Sequence, residues 1–197
     1  MKKILLILSL SIFIFSCIDS QNTSNQEYKI DAGLTGEIKE QASLTNGVSM
    51  GKMEVKMFEN DSLIVDTYDK EKKIEFITMS NLGNDTIRIT GFAGMFAGFG
   101  FYLDISNGGY DLTCLAKSDV PIYKYNEQDT TLSFGLSVPC YQTSLTLTAK
   151  PIFENGETIS GYLELKSNDF WEESNGESKK YKMELRAYFR TEELKSE

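Results

Sequence analysis

The sequence predicts an all-β fold, an antiparallel β-sandwich that follows an N-terminal export signal. Short runs rich in Val, Ile, Thr, Phe and Tyr recur at near-regular spacing and are bounded by Asn, Asp and Gly. Several runs alternate apolar and polar side chains, which is the period of a half-buried antiparallel strand. Apolar residues at helical spacing are confined to short segments such as residues 38–44. Many short strands with little helix are typical of a sandwich.

The first strongly alternating strand covers residues 53–57, where three apolar side chains alternate with Glu54 and Lys56. Asn46-Gly47 precedes it and suits a type I′ hairpin turn, because both residues tolerate positive φ. Further strands are predicted at residues 63–68, 74–79, 86–90, 101–105, 112–116, 122–125, 132–138, 145–149, 159–166 and 181–189. We expect one domain over residues 28–192, followed by a polar tail of residues 193–197.

The first 16 residues have the parts of an export signal. Lys2 and Lys3 supply the positive charge, and residues 4–15 form the apolar core. The small residue Ser16 ends the segment. Because a helix that crosses a bilayer needs about 20 apolar residues, this core is too short to do so. We therefore expect residues 1–16 to be removed after export.

Residues 14–17, Ile-Phe-Ser-Cys, resemble the lipobox of bacterial lipoproteins of the Bacteroidetes type. The resemblance implies cleavage before Cys17 and acylation of that residue, and two or three acyl chains together hold a protein stably in a membrane. It also implies a place in the cell envelope, in the outer membrane, facing either the periplasm or the exterior. The polar residues 17–27 would tether the lipid to the domain.

Charge and histidine content exclude several classes of function. Loss of Lys2 and Lys3 with the signal leaves 18 basic and 29 acidic residues, a net charge of −11. Such a surface repels nucleic acid and anionic lipid headgroups, so we expect no nucleic-acid partner. The chain has no histidine, which excludes Ser-His-Asp and Cys-His catalysis and the common His-bearing metal sites. We expect neither a metal nor a cofactor.

Two cysteines remain once Cys17 is acylated. Cys114 and Cys140 are an even pair in a compartment that we expect to be oxidising, which favours a disulfide between them. The alternative is two buried thiols that behave as small apolar side chains.

Two stretches, residues 74–89 and 156–169, resemble the Ig-like sandwiches of the abnormal-spindle/hydin type. The first has that group's strand, Asn-x-Gly turn and apolar strand, and the second has its Gly-rich entry and Ser-Asn-Asp turn. The resemblance implies an Ig-like sandwich in which residues 91–150 hold an insertion and residues 28–57 add strands. It implies no activity, because a fold is not a function.

Residues 92–103 are unusually rich in Phe and Gly. One interpretation is an exposed apolar loop that touches a membrane or a partner. The other is a buried bend that leads into a strand, in which glycines let two backbones approach each other closely.

Phe170 and Trp171 lie in a polar segment that we predict to be a loop, and Trp171 is the only tryptophan of the chain. An aromatic ring beside acids and amides can stack on the apolar face of a sugar, so both residues are candidates for ligand contact. The alternative is an aromatic plug at the end of the sandwich.

Ser62, Thr86 and Thr130 each follow an Asp at a predicted turn, which resembles the O-glycosylation sites of Bacteroidetes-type envelope proteins. Ordinary turn chemistry of Asp, Ser and Thr explains the same pattern. The acidic loops at residues 59–61 and 126–129 offer oxygen ligands but lack EF-hand spacing, so we interpret them as solvated turns.

The sequence thus favours a non-catalytic envelope lipoprotein. Its β-sandwich would bind a protein partner or a glycan, or serve as an accessory subunit. Two other functions stay open at this point. One is a glycan-active hydrolase with two carboxylates about 5–10 Å apart in a cleft, and the other is a purely structural spacer of the envelope.

The lipobox is tested by mass spectrometry of the protein isolated from its native membranes. We expect the mature chain to begin at Cys17 and to carry fatty acids there, and Cys17→Ala to carry none. A native chain that begins at Met1, or that has no fatty acid on Cys17, contradicts the assignment.

Overall fold

The computed structural model describes residues 26–45, 48–68, 74–94, 97–154 and 156–192. The export signal, Cys17, the Asn46-Gly47 turn and the tail at 193–197 lie outside these residues. Within them a 3-10 turn spans Ala32–Leu34, and one short helix is α1 (Thr35–Gln41). The strands are β1 (Lys29–Ile30), β2 (Ala42–Thr45), β3 (Val48–Glu59), β4 (Ser62–Asp66), β5 (Ile74–Gly83), β6 (Thr86–Ala93), β7 (Gly98–Ser106), β8 (Gly109–Lys117), β9 (Tyr123–Lys124), β10 (Gly135–Leu147), β11 (Thr158–Ser167), β12 (Phe170–Ser174) and β13 (Glu177–Glu192).

Eight of these strands form a closed sheet in which neighbouring strands are antiparallel. The order is β3, β5, β6, β7, β8, β10, β11 and β13, and β13 then pairs with β3. The closing pair runs from Tyr181 opposite Glu59 to Tyr188 opposite Lys52. The remaining strands attach to the closed sheet: β2 and β4 to β3, β1 to β10, β12 to β13, and β9 to β12.

One apolar core lies inside the closed sheet, because alternate side chains of each strand point inward. On β13 the buried members of this core are Tyr181, Met183, Leu185, Ala187 and Phe189. The side chains between them are partly exposed. The predicted all-β, antiparallel, sandwich-like fold is therefore confirmed, since the two sides of the sheet pack against each other across one core.

The strand order differs from the Ig-like arrangement that residues 74–89 and 156–169 resemble. An Ig-like domain has two separate sheets, whereas these strands all belong to one sheet in nearly sequential order. β7, β8 and β10 are central members of that order, so the predicted insertion at residues 91–150 is wrong. The resemblance rested on local strand-and-turn patterns, which do not determine how distant strands pair.

Three segments differ locally from the prediction. The strands expected at residues 132–138 and 145–149 are one strand, β10, which continues through Pro139 and a bulge between Cys140 and Gln142. Its first part pairs with β8 and its second part with β11. α1 begins three residues before the segment that showed helical spacing. The predicted loop around Trp171 is strand β12.

Two-residue turns with positive φ connect three hairpins. The turns are Asn60-Asp61, Asn84-Asp85 and Asn175-Gly176, with φ values between 48° and 77°. Positive φ at both positions is the type I′ geometry, which matches the twist of the flanking strands and which Asn, Asp and Gly adopt most readily. The turn predicted within residues 81–85 is confirmed, and Thr45 pairs with Val48 on either side of Asn46-Gly47.

The apolar residues 92–103 end β6 and begin β7, and Met95 and Phe96 lie outside the described residues. Phe101 and Leu103 are fully buried and face the core, as the second interpretation expects of the strand, whereas Gly94 and Ala97 on either side of the bend are exposed. Gly91 lies opposite Phe101, and a Cβ atom on Gly91 would lie 2.3 Å from that ring. The absence of a side chain at Gly91 therefore leaves room for the Phe101 ring in the core.

Two glycine substitutions test this packing. Gly91→Ala is expected to lower the free energy of unfolding by about 1–3 kcal/mol, because its methyl group overpacks the core. Gly36→Ala is the matched control: it lies in α1 with nothing within 4 Å of its Cβ position, and alanine there is expected to add about 0.5–1 kcal/mol. Chemical denaturation measures both changes, and equal stability of the two variants would contradict the packing.

Candidate functional site

The connection between β8 and β10, residues 118–134, folds back against β12, and we call it together with β12 the β9 lobe. Within it Tyr123 pairs with Glu172 and Lys124 with Trp171, and Tyr123 also forms a bridge to Ser133. Its tip is a tight turn shaped by side chains. Asp129 accepts hydrogen bonds from the backbone N and Nδ2 of Asn126, at 3.2 and 2.8 Å. The turn predicted at residues 126–129 is therefore present, and its own hydrogen bonds hold it in shape within the β9 lobe.

A cavity of about 430 Å³ lies between this turn and the start of β10. The residues around it include three with hydroxyl side chains, one with an amide, one with a carboxylate, one lysine and two tyrosines, of which Tyr123 has its ring in the apolar core. The lining residues are Tyr123, Lys124, Tyr125, Gln128, Asp129, Thr130, Thr131, Ser133, Gly135 and Leu136. Tyr125 is 54% exposed, so its ring stands at the mouth of the cavity. We call this cavity the lobe cavity.

Lys124 places a buried cation in the wall of the lobe cavity. The residue is 5% exposed, and its Nζ donates a hydrogen bond of 2.9 Å to Glu173 Oε2. A buried ammonium ion costs much free energy unless a partner compensates it, and Glu173 supplies that partner. No sequence motif marks Lys124 or Tyr125. The one signal is a lysine enclosed by two tyrosines in a short predicted strand.

Phe170 is not a ligand contact, because it is only 1% exposed. Its ring makes an edge contact with Tyr123 at 6.0 Å and stacks on Tyr181 at 5.9 Å. It is thus the aromatic plug, and its candidacy for ligand contact was wrong. Trp171 points to the other face of β12, is half-buried, and lies in register between Lys124 and Lys180. It adjoins the lobe cavity through Lys124 but does not line it.

Two interacting carboxylates lie on the inner side of β12 and β3. Burial raises the pKa of Glu172, and the nearby Glu59 carboxylate raises it further. Glu59 accepts a hydrogen bond from Tyr181 Oη at 2.7 Å and pairs with Lys179 Nζ at 3.1 Å. These contacts lower the pKa of Glu59. Glu59 is therefore the ionised member of the pair, and Glu172 takes up a proton more readily.

Cys114 and Cys140 are free thiols in the structure, so the predicted disulfide is not formed. Cys114 lies opposite Val138, two residues before Cys140 on the same strand, which makes the cysteines diagonal neighbours. Burial raises the pKa of Cys114 well above its usual value and that of Cys140 to about 12. Both thiols stay protonated at neutral pH, which is the state of unreactive buried cysteines.

The three candidate glycosylation residues lie at or beside turns. Ser62 and Thr86 are the first residues of β4 and β6, and each follows an Asp with positive φ. Thr86 Oγ1 donates a hydrogen bond of 3.3 Å to the Asn84 carbonyl, as ordinary turn chemistry predicts. Thr130 is exposed and lines the lobe cavity. Modification of these hydroxyls stays a prediction.

Within the described residues, no group of three or more His, Cys, Asp or Glu is placed where it could hold a metal ion. Across the same part of the chain, no helix is long and apolar enough to cross a membrane. No protein-family model matches the chain, and no curated protein or solved structure is significantly similar to it.

The raised pKa of Glu172 predicts a pH-dependent effect of Glu172→Gln. Below the ordinary Glu pKa of 4.5, the carboxyl is protonated in both the folded and the unfolded protein, so its ionisation contributes nothing. As the pH rises through 4.5 toward the raised folded pKa, the unfolded chain ionises first, and the wild type loses stability. The neutral variant is therefore expected to be the more stable protein at pH 7, by a margin that closes toward pH 4.

Thermal unfolding from pH 4 to 8 measures this margin. Glu177→Gln, at an exposed position in the β12–β13 hairpin, is the control and is expected to follow the wild type. A margin for Glu172→Gln that widens as the pH falls would contradict the assigned direction.

Proposed function

We propose that this protein is a non-catalytic, lipid-anchored module of the cell envelope that binds a sugar unit of a glycan in the lobe cavity. The lipobox resemblance at Cys17 supports the anchor. The observation that carries the ligand class is a cavity of about 430 Å³ whose lining residues are mostly polar and uncharged. That volume is within the usual range for small-molecule pockets, about 300–1,000 Å³.

The lining fits a neutral polyol better than an anion. Sugar hydroxyls both donate and accept hydrogen bonds, as do the hydroxyls of Thr130 and Thr131. The cation in the wall, Lys124, is neutralised by Glu173 at 2.9 Å, so the cavity carries no uncompensated positive charge that would select an anion. Tyr125 offers an exposed ring at the mouth, against which the apolar face of a sugar can stack.

Hydrolysis by paired carboxylates has weaker support. Glu59 and Glu172 have the opposed pKa shifts that an acid–base pair uses. Glu59 is, however, already bonded to Tyr181 and Lys179, and neither carboxylate lines the lobe cavity.

A protein partner is the second candidate, and the edge of β4 favours it. Among the described strands β4 pairs with β3 alone. Its residues Leu63, Ile64 and Val65 are all exposed. An exposed apolar edge strand is a template to which a partner can add a strand.

Binding of simple sugars tests the lobe cavity. Glucose, galactose, mannose, N-acetylglucosamine and their disaccharides are titrated into the full domain and followed by NMR. At least one is expected to shift resonances of residues 123–135. Tyr125→Ala is expected to weaken that ligand about two- to tenfold, the loss that corresponds to one aromatic contact of about 0.5–1.5 kcal/mol.

Tyr141→Ala is the matched control, because Tyr141 is 63% exposed and does not line the lobe cavity. It is expected to bind like the wild type. If none of the sugars shifts residues 123–135, or if Tyr141→Ala weakens binding as much as Tyr125→Ala, the proposed site is wrong.

A further inference from the structure

The outer face of β11, β13 and β3 carries ordered rows of polar and aromatic side chains, which we call the tyrosine face. One row places Tyr162 opposite Tyr188, and Tyr188 opposite Lys52. The next row places Glu164 opposite Arg186, and Arg186 opposite Glu54. These residues alternate with the inward-pointing core residues of the same strands, so the closed sheet fixes their spacing.

The charges of the tyrosine face compensate one another. The Glu54 side chain is only 3% exposed and is held by Lys52 Nζ at 2.8 Å and by Arg186 Nε. In the following row, two residues along each strand, Lys166 pairs with Glu184 at 3.4 Å. The face therefore offers hydrogen-bonding groups in fixed positions without a strong net charge.

The tyrosine rings are held in place by carboxylates. The rings of Tyr162 and Tyr188 lie 4.6 Å apart. Tyr162 Oη donates a hydrogen bond of 2.5 Å to Glu164, and Tyr188 Oη donates one of 2.7 Å to Glu37 on α1. Because each hydroxyl is already bonded, ring rotation is restricted, and a ligand that stacks there loses little side-chain entropy.

A groove of about 340 Å³ begins at Glu164, the carboxylate that holds Tyr162, and extends across β11 to β10. Tyr68 forms one wall, and its ring lies 4.2 Å from the Arg186 guanidinium. Gln142, Ser144 and Lys166 are among the polar residues along the groove. The rings and the groove together form an elongated surface rather than a closed pocket.

We propose that the tyrosine face is a second binding site, for an extended neutral oligosaccharide. Two observations decide the ligand class. β11 and β13 are hydrogen-bonded to strands on both edges, which leaves no strand edge there for a peptide to join. The paired charges favour a neutral chain over an acidic or basic one. The proposal goes beyond the lobe cavity, since it concerns another surface and does not require the cavity to bind.

Isothermal titration with cellohexaose, xylohexaose, mannohexaose and maltohexaose tests the proposal. At least one hexasaccharide is expected to bind about tenfold more tightly than its disaccharide, because an elongated site contacts several sugar units. Tyr188→Ala is expected to weaken binding about threefold to tenfold. Tyr188→Phe keeps the ring and is expected to stay within about twofold of the wild type.

Two further variants keep the outcome interpretable. Gln142→Ala removes an exposed groove residue with no threat to the core and is expected to weaken binding about threefold. Phe76→Ala removes an exposed aromatic ring that lines neither the groove nor the lobe cavity and is expected to leave hexasaccharide affinity unchanged, so a loss in Tyr188→Ala is specific to the tyrosine face. The proposal is overturned if no hexasaccharide binds, if Tyr188→Ala and Gln142→Ala both bind like the wild type, or if only a charged probe such as a heparin hexasaccharide binds.

Discussion

The pairing of β3 with β13 determines both the inside and the outside of this protein. Its register places Val55 opposite Leu185 in the core and, one position on, Glu54 opposite Arg186 on the outer face. Side chains alternate strictly along a strand, so a slip of one residue would move every apolar side chain of the pair to the solvent side. The apolar core thereby enforces the register, and the register assembles the charged and aromatic rows outside.

The lobe cavity depends on the same pairing indirectly, through the strands that attach to β13. β13 extends beyond its contact with β11 and pairs there with β12, which in turn holds β9. Lys124 is buried because it lies on β9, within reach of Glu173 on β12. Phe170 fastens the lobe to the core through its contacts with Tyr123 and Tyr181. The position of the cavity relative to the closed sheet is thus set by apolar packing, and its chemistry by the turn above it.

The sequence was sufficient to predict local strands and turns but not the contacts between distant strands. The alternation along β13 and the Asn-Asp turn at residues 84–85 were sufficient to predict strands and hairpins. β12 was missed because Phe170 and Trp171 are followed by Glu-Glu-Ser, which breaks the apolar alternation of a strand, and pairing with β13 decides its conformation. Closure of the sheet joins residues more than 120 positions apart, and no local pattern encodes that contact. Lys124 was missed for the same reason, since its burial comes from a distant strand.

Two buried charges connect the fold with the proposed binding sites. Glu54 underlies the tyrosine face and Lys124 lies in the wall of the lobe cavity, and each is almost fully removed from water and ion-paired. Such pairs rarely improve stability over well-packed apolar residues, because desolvation offsets much of the attraction. Their physical advantage lies elsewhere. A charge that is held by its partner orients the neighbouring donors and acceptors before any ligand arrives, which lowers the entropic cost of binding. The two sites would therefore gain preorganised geometry from groups that contribute little to the stability of the fold.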